Sequence, residues 1–522
     1  MQTLFQPWPA YTLASFRIAY GCLLLIGIIK TWLNVDTQFP EWEFWTLYQS
    51  IEFVRDWPKL DTQIVFATMT VSLTLIACGF LTRLAALIFS LAYSYQYLFD
   101  PTHFNNHYYL IAIFGLWLSV IRSDSVWSLR VWLRPRLHQP FVPRWHVLVL
   151  QVQLAIVYFF GGIAKFNSDW LQAEPISIWL SVEQDWPIIG PILATRSTAY
   201  FVAYFGLVFD LTVPFFLFWR KTRPYAIVAA ILFHLANSQL FNIGVFPWLG
   251  VASLVVFLEP ETPCNWVRFV RDRIRSLLMP HNSETKPLDS KTDTSNSDQL
   301  PEPTRFRKTA IVTMLVTIAV VQLVLPWRHW LYDGNVEWNE EGKNFSWRMM
   351  LSYKDTFVGL RVVDPDRRVA FEVDQNGHYL KQLKLKRGER TVFLMQGQPM
   401  LVPEKTLTRR QRRGKGIWGN PRLLVQYARY IADEAKQLGI RNPQVYADAV
   451  ASLNGRPYQY LVDPDVDLAA VERPWFETPD WIVPLQPNQP LGNYTLTLEE
   501  MFPRVQAVIE EHRSKKRQAV EP

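Results

Sequence analysis

The chain has 522 residues, 49% hydrophobic, 19% charged and 15% aromatic, with 53 Lys and Arg against 46 Asp and Glu, a formal net charge of +7. Its mean hydropathy of +0.02 averages a very apolar first 330 residues with a polar remainder. That split excludes a simple soluble enzyme, and the length allows about three domains.

Nine stretches carry the length and composition of spanning helices: 12–33, 61–81, 83–100, 107–121, 147–166, 198–219, 224–240, 241–258 and 309–331. A bilayer needs about 20 apolar residues per helix, so the shorter stretches fall below a full span. The first is not read as a cleaved signal peptide, because Arg17 lies inside it, no basic region precedes it and no small-residue cleavage site follows. The 22 Trp and 21 Tyr fit interfacial belts.

Arginine and lysine in short loops resist translocation and so set orientation. They gather in three loops: Arg122, Arg130, Arg134, Arg136 and Arg144; Arg220, Lys221 and Arg223; and Arg268, Arg271, Arg273 and Arg275. Alternate threading of nine spans puts all three loops on one side. The N-terminus is then cytoplasmic, while 101–106, 167–197 and everything after 331 face outward, as in a multi-pass protein of a bacterial inner membrane.

The expected fold is a membrane α-helical bundle of about nine spans followed by an extramembrane β-rich domain with at least one helix. Residues 1–260 form the bundle, 261–308 a cytoplasmic basic segment and flexible Ser/Thr/Asp/Pro-rich linker, 309–331 the final span and 332–522 the outer domain. Segments FVGLRVV, RVAFEV and TVFLM alternate like strands. A helix is expected at about 421–438, where Leu423, Leu424, Tyr427, Ala428, Ile431 and Ala435 recur at helical spacing and Gly439 stops it. A hairpin turns at Asn454-Gly455. The charged tail from about 505 is expected to fray.

The positive balance mostly records topology, and no aromatic-interleaved basic groove suggests nucleic acid. The basic run Lys405 to Lys415 reads as a solvated loop or a patch for an acidic partner. Of three cysteines, Cys22, Cys78 and Cys264, none lies in the outer domain, so no disulfide framework or CxxC metal motif is expected.

Three constellations could carry chemistry. Lys165, at the outer end of the fifth span, either snorkels to the interface or is a desolvated base, with Gly161 and Gly162 allowing close helix approach. Asn105, Asn106 and His107 open the fourth span at the same outer level, where they could cap the helix or act chemically; a zinc reading of His103 and His107 is weak without a carboxylate partner. His234 and Asn237, with Gln239 nearby, share a helical face and make either an interhelical clamp or a polar pocket. Arg17 and Asp210 are expected as a structural ion pair.

Five segments in order, NNHYYL at 105–110, GGIAKFNSDWL at 161–171, FHLANSQLFNIGVF at 233–246, FSWRMM at 345–350 and VYADAVASLNGRPYQYLVDPDVD at 445–467, resemble the vitamin K-dependent gamma-carboxylase family. The membrane half alone resembles the broader horizontally transferred transmembrane domain of many bacterial proteins. The resemblance implies an enzyme that couples oxygenation of a reduced naphthoquinone to its epoxide with carbon dioxide addition at glutamate side chains. Lys165 matches the family's base lysine in AGxKKxDADW and would take a proton from the hydroquinone. Oxygen addition would give an alkoxide strong enough to remove the glutamate γ proton. His107 would stabilise developing charge and Asn106 orient it. Trp347 and Met349, in the stretch matching SWDMM, would shape the quinone or glutamate pocket, with His234 and Asn237 as further cofactor-binding candidates. The implied partners are membrane lipid, a naphthoquinol and a glutamate-containing peptide or protein.

Two departures bear on this. Ala164 replaces the first lysine of the family's pair, and Arg348 replaces the acidic residue of SWDMM. The rival readings are a quinol oxygenase without protein carboxylation and a non-catalytic membrane scaffold. A transporter finds no inverted repeat in its favour.

Overall fold

The computed structural model describes residues 2–34, 60–99, 104–241, 243–278, 302–367, 369–373, 419–472, 477–486 and 498–520. Its helical part begins with strand β1 (Pro7–Pro9), helix α1 (Tyr11–Trp32), α2 (Thr62–Cys78), α3 (Thr82–Phe99) and α4 (Asn106–Val120). Short helix α5 (Leu129–Leu133) and β2 (Phe141–Pro143), antiparallel to β1, lead into α6 (Trp145–Ala164). Three short helices, α7 (Ser168–Leu171), α8 (Ile176–Ser181) and α9 (Gly190–Leu193), precede α10 (Arg196–Phe218), α11 (Arg223–Leu240), α12 (Phe246–Ser253) and α13 (Thr262–Leu278). Helix α14 (Arg305–Val324) tightens into a 3-10 stretch that runs to Leu331.

Among the described residues, four helices are long and apolar enough to cross a membrane: α1, α6, α10 and Arg305–Leu331. The other five expected stretches are helical too, with α2 and Phe246–Phe257 apolar but shorter. Many side chains on the flanks of the long helices are apolar and exposed, among them Ile26, Phe201, Phe215 and Val320, as lipid-facing surfaces require. Buried faces of α1 to α4, α6, α10 and α12 share one apolar core.

Local chemistry fixes where the helices stop. Asp61 caps α2, its Oδ1 accepting from Gln63 N at 2.7 Å, and Gly79 closes it in the left-handed region at φ +74°. A side chain at 79 would run into Arg17 and Ser128. Buried Arg17 donates to the carbonyls of Ile76 and Ala77 at 2.8 Å, Ser123 at 3.1 Å and Trp127 at 2.6 Å. It therefore does not form the expected pair with Asp210; the orphan carbonyls at a helix C-terminus already satisfy its planar fork.

The remaining part carries one antiparallel sheet in the order β4 (Val369–Val373), β3 (Lys354–Asp364), β5 (Gln444–Leu453), β6 (Gln459–Tyr460). One-turn helix α15 (Val336–Asn339) precedes it. Helix α16 (Pro421–Gln437) starts at Asn420, whose side chain accepts from Arg422 and Leu423 N, and it packs Leu424, Ala428, Ile431 and Ala435 into a core with Val358, Leu360 and Val445. The hairpin after β5 turns through Asn454 and Gly455, both at positive φ. TVFLM lies outside the described residues.

Three expectations change. The loop 167–197 holds three helices, and the basic segment at 262–278 is the helix α13 rather than a loop. The tail does not fray from 505: helix α17 (Leu498–Val520) buries Val505 and Ile509 against Phe357, Val450, Tyr458 and Tyr460. An apolar row at helical spacing, hidden among its charges, provides the docking face.

Candidate active site

Lys165 caps the C-terminus of α6 and is 8% exposed. Its Nζ donates to Asp210 Oδ2 at 2.5 Å and to the Gly161 carbonyl at 3.1 Å, and lies 5.2 Å from the Trp170 ring centroid. The side-chain nitrogen is thus turned into the protein rather than snorkelling outward. Two features bring α10 this close. A Cβ at Gly162 would meet Leu211 at 2.8 Å. Pro214 has no N–H for the Asp210 carbonyl one turn earlier, which loosens α10 at the carboxylate.

A second wall comes from α4. Asn105 caps that helix by accepting from Tyr108 N at 3.0 Å, which starts the helix with Asn106 and His107 on its first turn, both 5% exposed. Asn106 Nδ2 donates to the Arg348 carbonyl at 2.8 Å, tying α4 to the segment that follows α15. The His107 ring lies 4.0 Å from that of Phe246 at the start of α12, and Phe246 lies 6.3 Å from His234 on α11. His234 Nε2 is 2.6 Å from Tyr158 Oη, and Tyr158 lies two turns before Lys165 on α6. Gly250 faces the His234 ring so closely that any side chain there would collide with it.

The third wall is Trp347 to Met349. Trp347 is fully buried and stacks on Tyr109 at 4.9 Å, and Tyr109 Oη accepts from Gln322 on the final long helix at 2.7 Å. Gly161 opens onto both Asp210 Oδ2 and Met349 Cε, 3.6 and 3.9 Å from where its Cβ would stand. Arg348, in the place of an acidic residue, turns away and pairs through Nε with Glu337 at 2.8 Å. Burial works to raise the Glu337 carboxyl, but Lys343 and Arg348 outweigh it and hold it far below the ordinary carboxylate range.

The structure thus links Lys165, Asn106, His107, His234, Trp347 and Met349 through shared neighbours. Asn237 is half-buried, and none of the described side-chain hydrogen bonds involves it. His103 lies outside the described residues, as does the basic run 405–415. Sequence reasoning missed Tyr158, Phe246, Tyr109 and Gln322, and placed Asp210 with the wrong cation. The seven-residue spacing of Tyr158 and Lys165 was the available signal for one of them.

Residues 5–262 match the model of the HTTM domain, and residues 307–396 and 393–488 match that of the vitamin K-dependent gamma-carboxylase lumenal domain. The two matches fall in order and between them span both halves of this site. The chain belongs to the vitamin K-dependent gamma-carboxylase family. No solved structure matches it.

Membership of the gamma-carboxylase family implies use of vitamin K hydroquinone and a glutamate-containing substrate. Several buried polar atoms near these residues are of the kind a diol can pair with. Asn106 Oδ1, His234 Nδ1, Trp347 Nε1 and Gln322 Oε1 are buried with no partner among the described residues. Buried polar atoms seldom stay unpaired, and these acceptors together with the indole donor can pair with quinol hydroxyls and a quinone oxygen.

Proposed function

We propose that this chain is a membrane carboxylase that couples oxygenation of a reduced naphthoquinone to its epoxide with addition of carbon dioxide at glutamate side chains. The observation that carries the reading is buried Lys165 against Asp210, facing Met349 across Gly161. A structural lysine at a helix end has no need of that burial.

Bound quinol, on reaction with oxygen, supplies a base stronger than any side chain. The residues prepare and contain that chemistry. Lys165 Nζ takes the hydroxyl proton, and the Asp210 carboxylate stabilises the resulting ammonium. Lys165 must therefore enter the step as the amine, having released its resting proton to water before bound quinol excludes it. His107, with Asn106 beside it, stabilises developing negative charge. Tyr158 fixes the His234 ring through Nε2, leaving Nδ1 for the ligand. Trp347 and Met349 close the site against water, which would quench a strong base.

In this reading residues 1–260 and 309–331 form nine spans with a cytoplasmic N-terminus, 261–308 is cytoplasmic, and 332–522 is extracytoplasmic. Quinol enters laterally from lipid while the peptide arrives from the aqueous side. The test is purified protein in lipid with reduced naphthoquinone, oxygen, labelled bicarbonate and a glutamate-containing peptide, scoring epoxide and fixed label separately. Both products, with both lost in Lys165→Ala, support the carboxylase. Epoxide alone points to an oxygenase, and neither product from folded protein points to the scaffold.

A further inference from the structure

Helix α13 follows the last helix of the first bundle and packs its beginning against α1. Along the described side chains Trp266, Phe269, Val270 and Ile274 are 69, 66, 40 and 50% exposed. Trp266, Val270 and Ile274 recur every four residues and form one stripe, with Val267 at its margin. Arg268 and Arg271 recur at three residues on the other side, exposed Arg273 lies at the edge of the stripe between Phe269 and Trp266 with a side chain long enough to reach a headgroup, and Arg271 shares its charge with Asp272 at 3.0 Å. Beyond Cys264 the described side chains of this helix are all exposed, and water is a poor solvent for its stripe.

Its position shows what covers it. Glu259, just before α13, pairs with Arg220 at 3.4 Å and Arg223 at 3.3 Å in the turn between α10 and α11. Tyr11, at the start of α1, lies 5.2 Å from Trp127 in the arginine-rich loop after α4. The arginine-rich turns therefore gather at one end of the bundle, opposite Lys165 on the 20-residue α6. Trp132 and Trp219, beside those turns, are 76 and 59% exposed. Tryptophans prefer the headgroup level, and arginines prefer an anionic surface.

We propose that α13 lies in the headgroup layer of the membrane at this end, its Trp266–Val270–Ile274 stripe in the acyl boundary and Arg268, Arg271 and Arg273 on anionic phospholipid headgroups. This proposal is independent of the carboxylase reading.

The test uses the full chain in nanodiscs of phosphatidylcholine alone or mixed with phosphatidylglycerol. In the unaltered protein, tryptic cleavage after Arg268 and Arg271 should slow in the mixed lipid on the order of fivefold, the factor one juxtamembrane basic residue contributes at an anionic surface. In a Cys22→Ala, Cys78→Ala, Cys264→Ser background, nitroxides at Val270→Cys and Ile274→Cys should be open to oxygen, and one at Arg271→Cys to a water-soluble nickel complex. Equal cleavage in the two lipids overturns the headgroup contact. Uniform access to nickel overturns the placement, as does protection that persists in lipid-free detergent and rises with protein concentration, which would mark a second copy. If the labelled variants misfold, the proteolysis of unaltered protein decides.

Discussion

Lys165 closes the C-terminus of α6 and Asp210 lies inside α10, with one strong hydrogen bond between them. Asp210→Ala leaves the lysine buried without a counter-charge, which costs about 3–5 kcal/mol when a buried pair is broken; thermal unfolding in lipid checks this. Lys165→Ala should lower both epoxide and fixed label on the order of 10²–10⁴-fold, the usual contribution of a positioned base. Lys165→Arg should not restore activity, since a guanidinium stays charged and cannot accept the proton. Activity in Lys165→Arg near that of the unaltered protein would sink the base assignment.

Between elements, two contacts hold the site's walls together. Asp169 on α7 accepts from both Arg456 nitrogens, at 2.6 and 2.7 Å, and from Asn454 Nδ2 at 2.7 Å, so the hairpin after β5 is pinned to the end of α6. A double-mutant cycle with Asp169→Asn and Arg456→Gln should show strong coupling, each single change costing about as much as the pair of changes. Additive losses would mean that the clamp transmits nothing. Gly162→Val would push α10 away at Leu211, at a cost of about 1–3 kcal/mol for overpacking. Its activity should fall further than its stability, because Asp210 moves with α10; equal activity in a folded variant would contradict that.

Across the molecule, two buried carboxylates outside the long helices, Asp169 and Glu337, set a limit in acid. Burial alone would raise the Asp169 carboxyl, but Arg456 and Asn454 hold it below its ordinary value, and Glu337 is depressed further. Groups depressed in the folded chain contribute stability above their unfolded pKa and lose it as pH falls through the folded one. Thermal midpoints should therefore hold above the ordinary carboxylate range and fall below it. The acid fall should shrink in Glu337→Gln; an unchanged fall would assign it elsewhere.

The sequence by itself determined the helices, because apolar stretches of spanning length and their caps are local properties. It placed the long helices within a few residues and the Asn454-Gly455 turn correctly, and its ordered motifs indicated the family that the two matches establish. Lys165, Asn106 and His107 were legible because polar groups in an apolar helix end stand out. Which groups face which was decided only by the tertiary structure. Asp210 meets Lys165 rather than Arg17 because Gly162 lets two helices approach, and Arg17 is taken up by helix-end carbonyls. The contacts of Asn106 with Arg348 and Asp169 with Arg456 join residues 242 and 287 positions apart. No local pattern encodes such pairings; they follow from packing the whole chain.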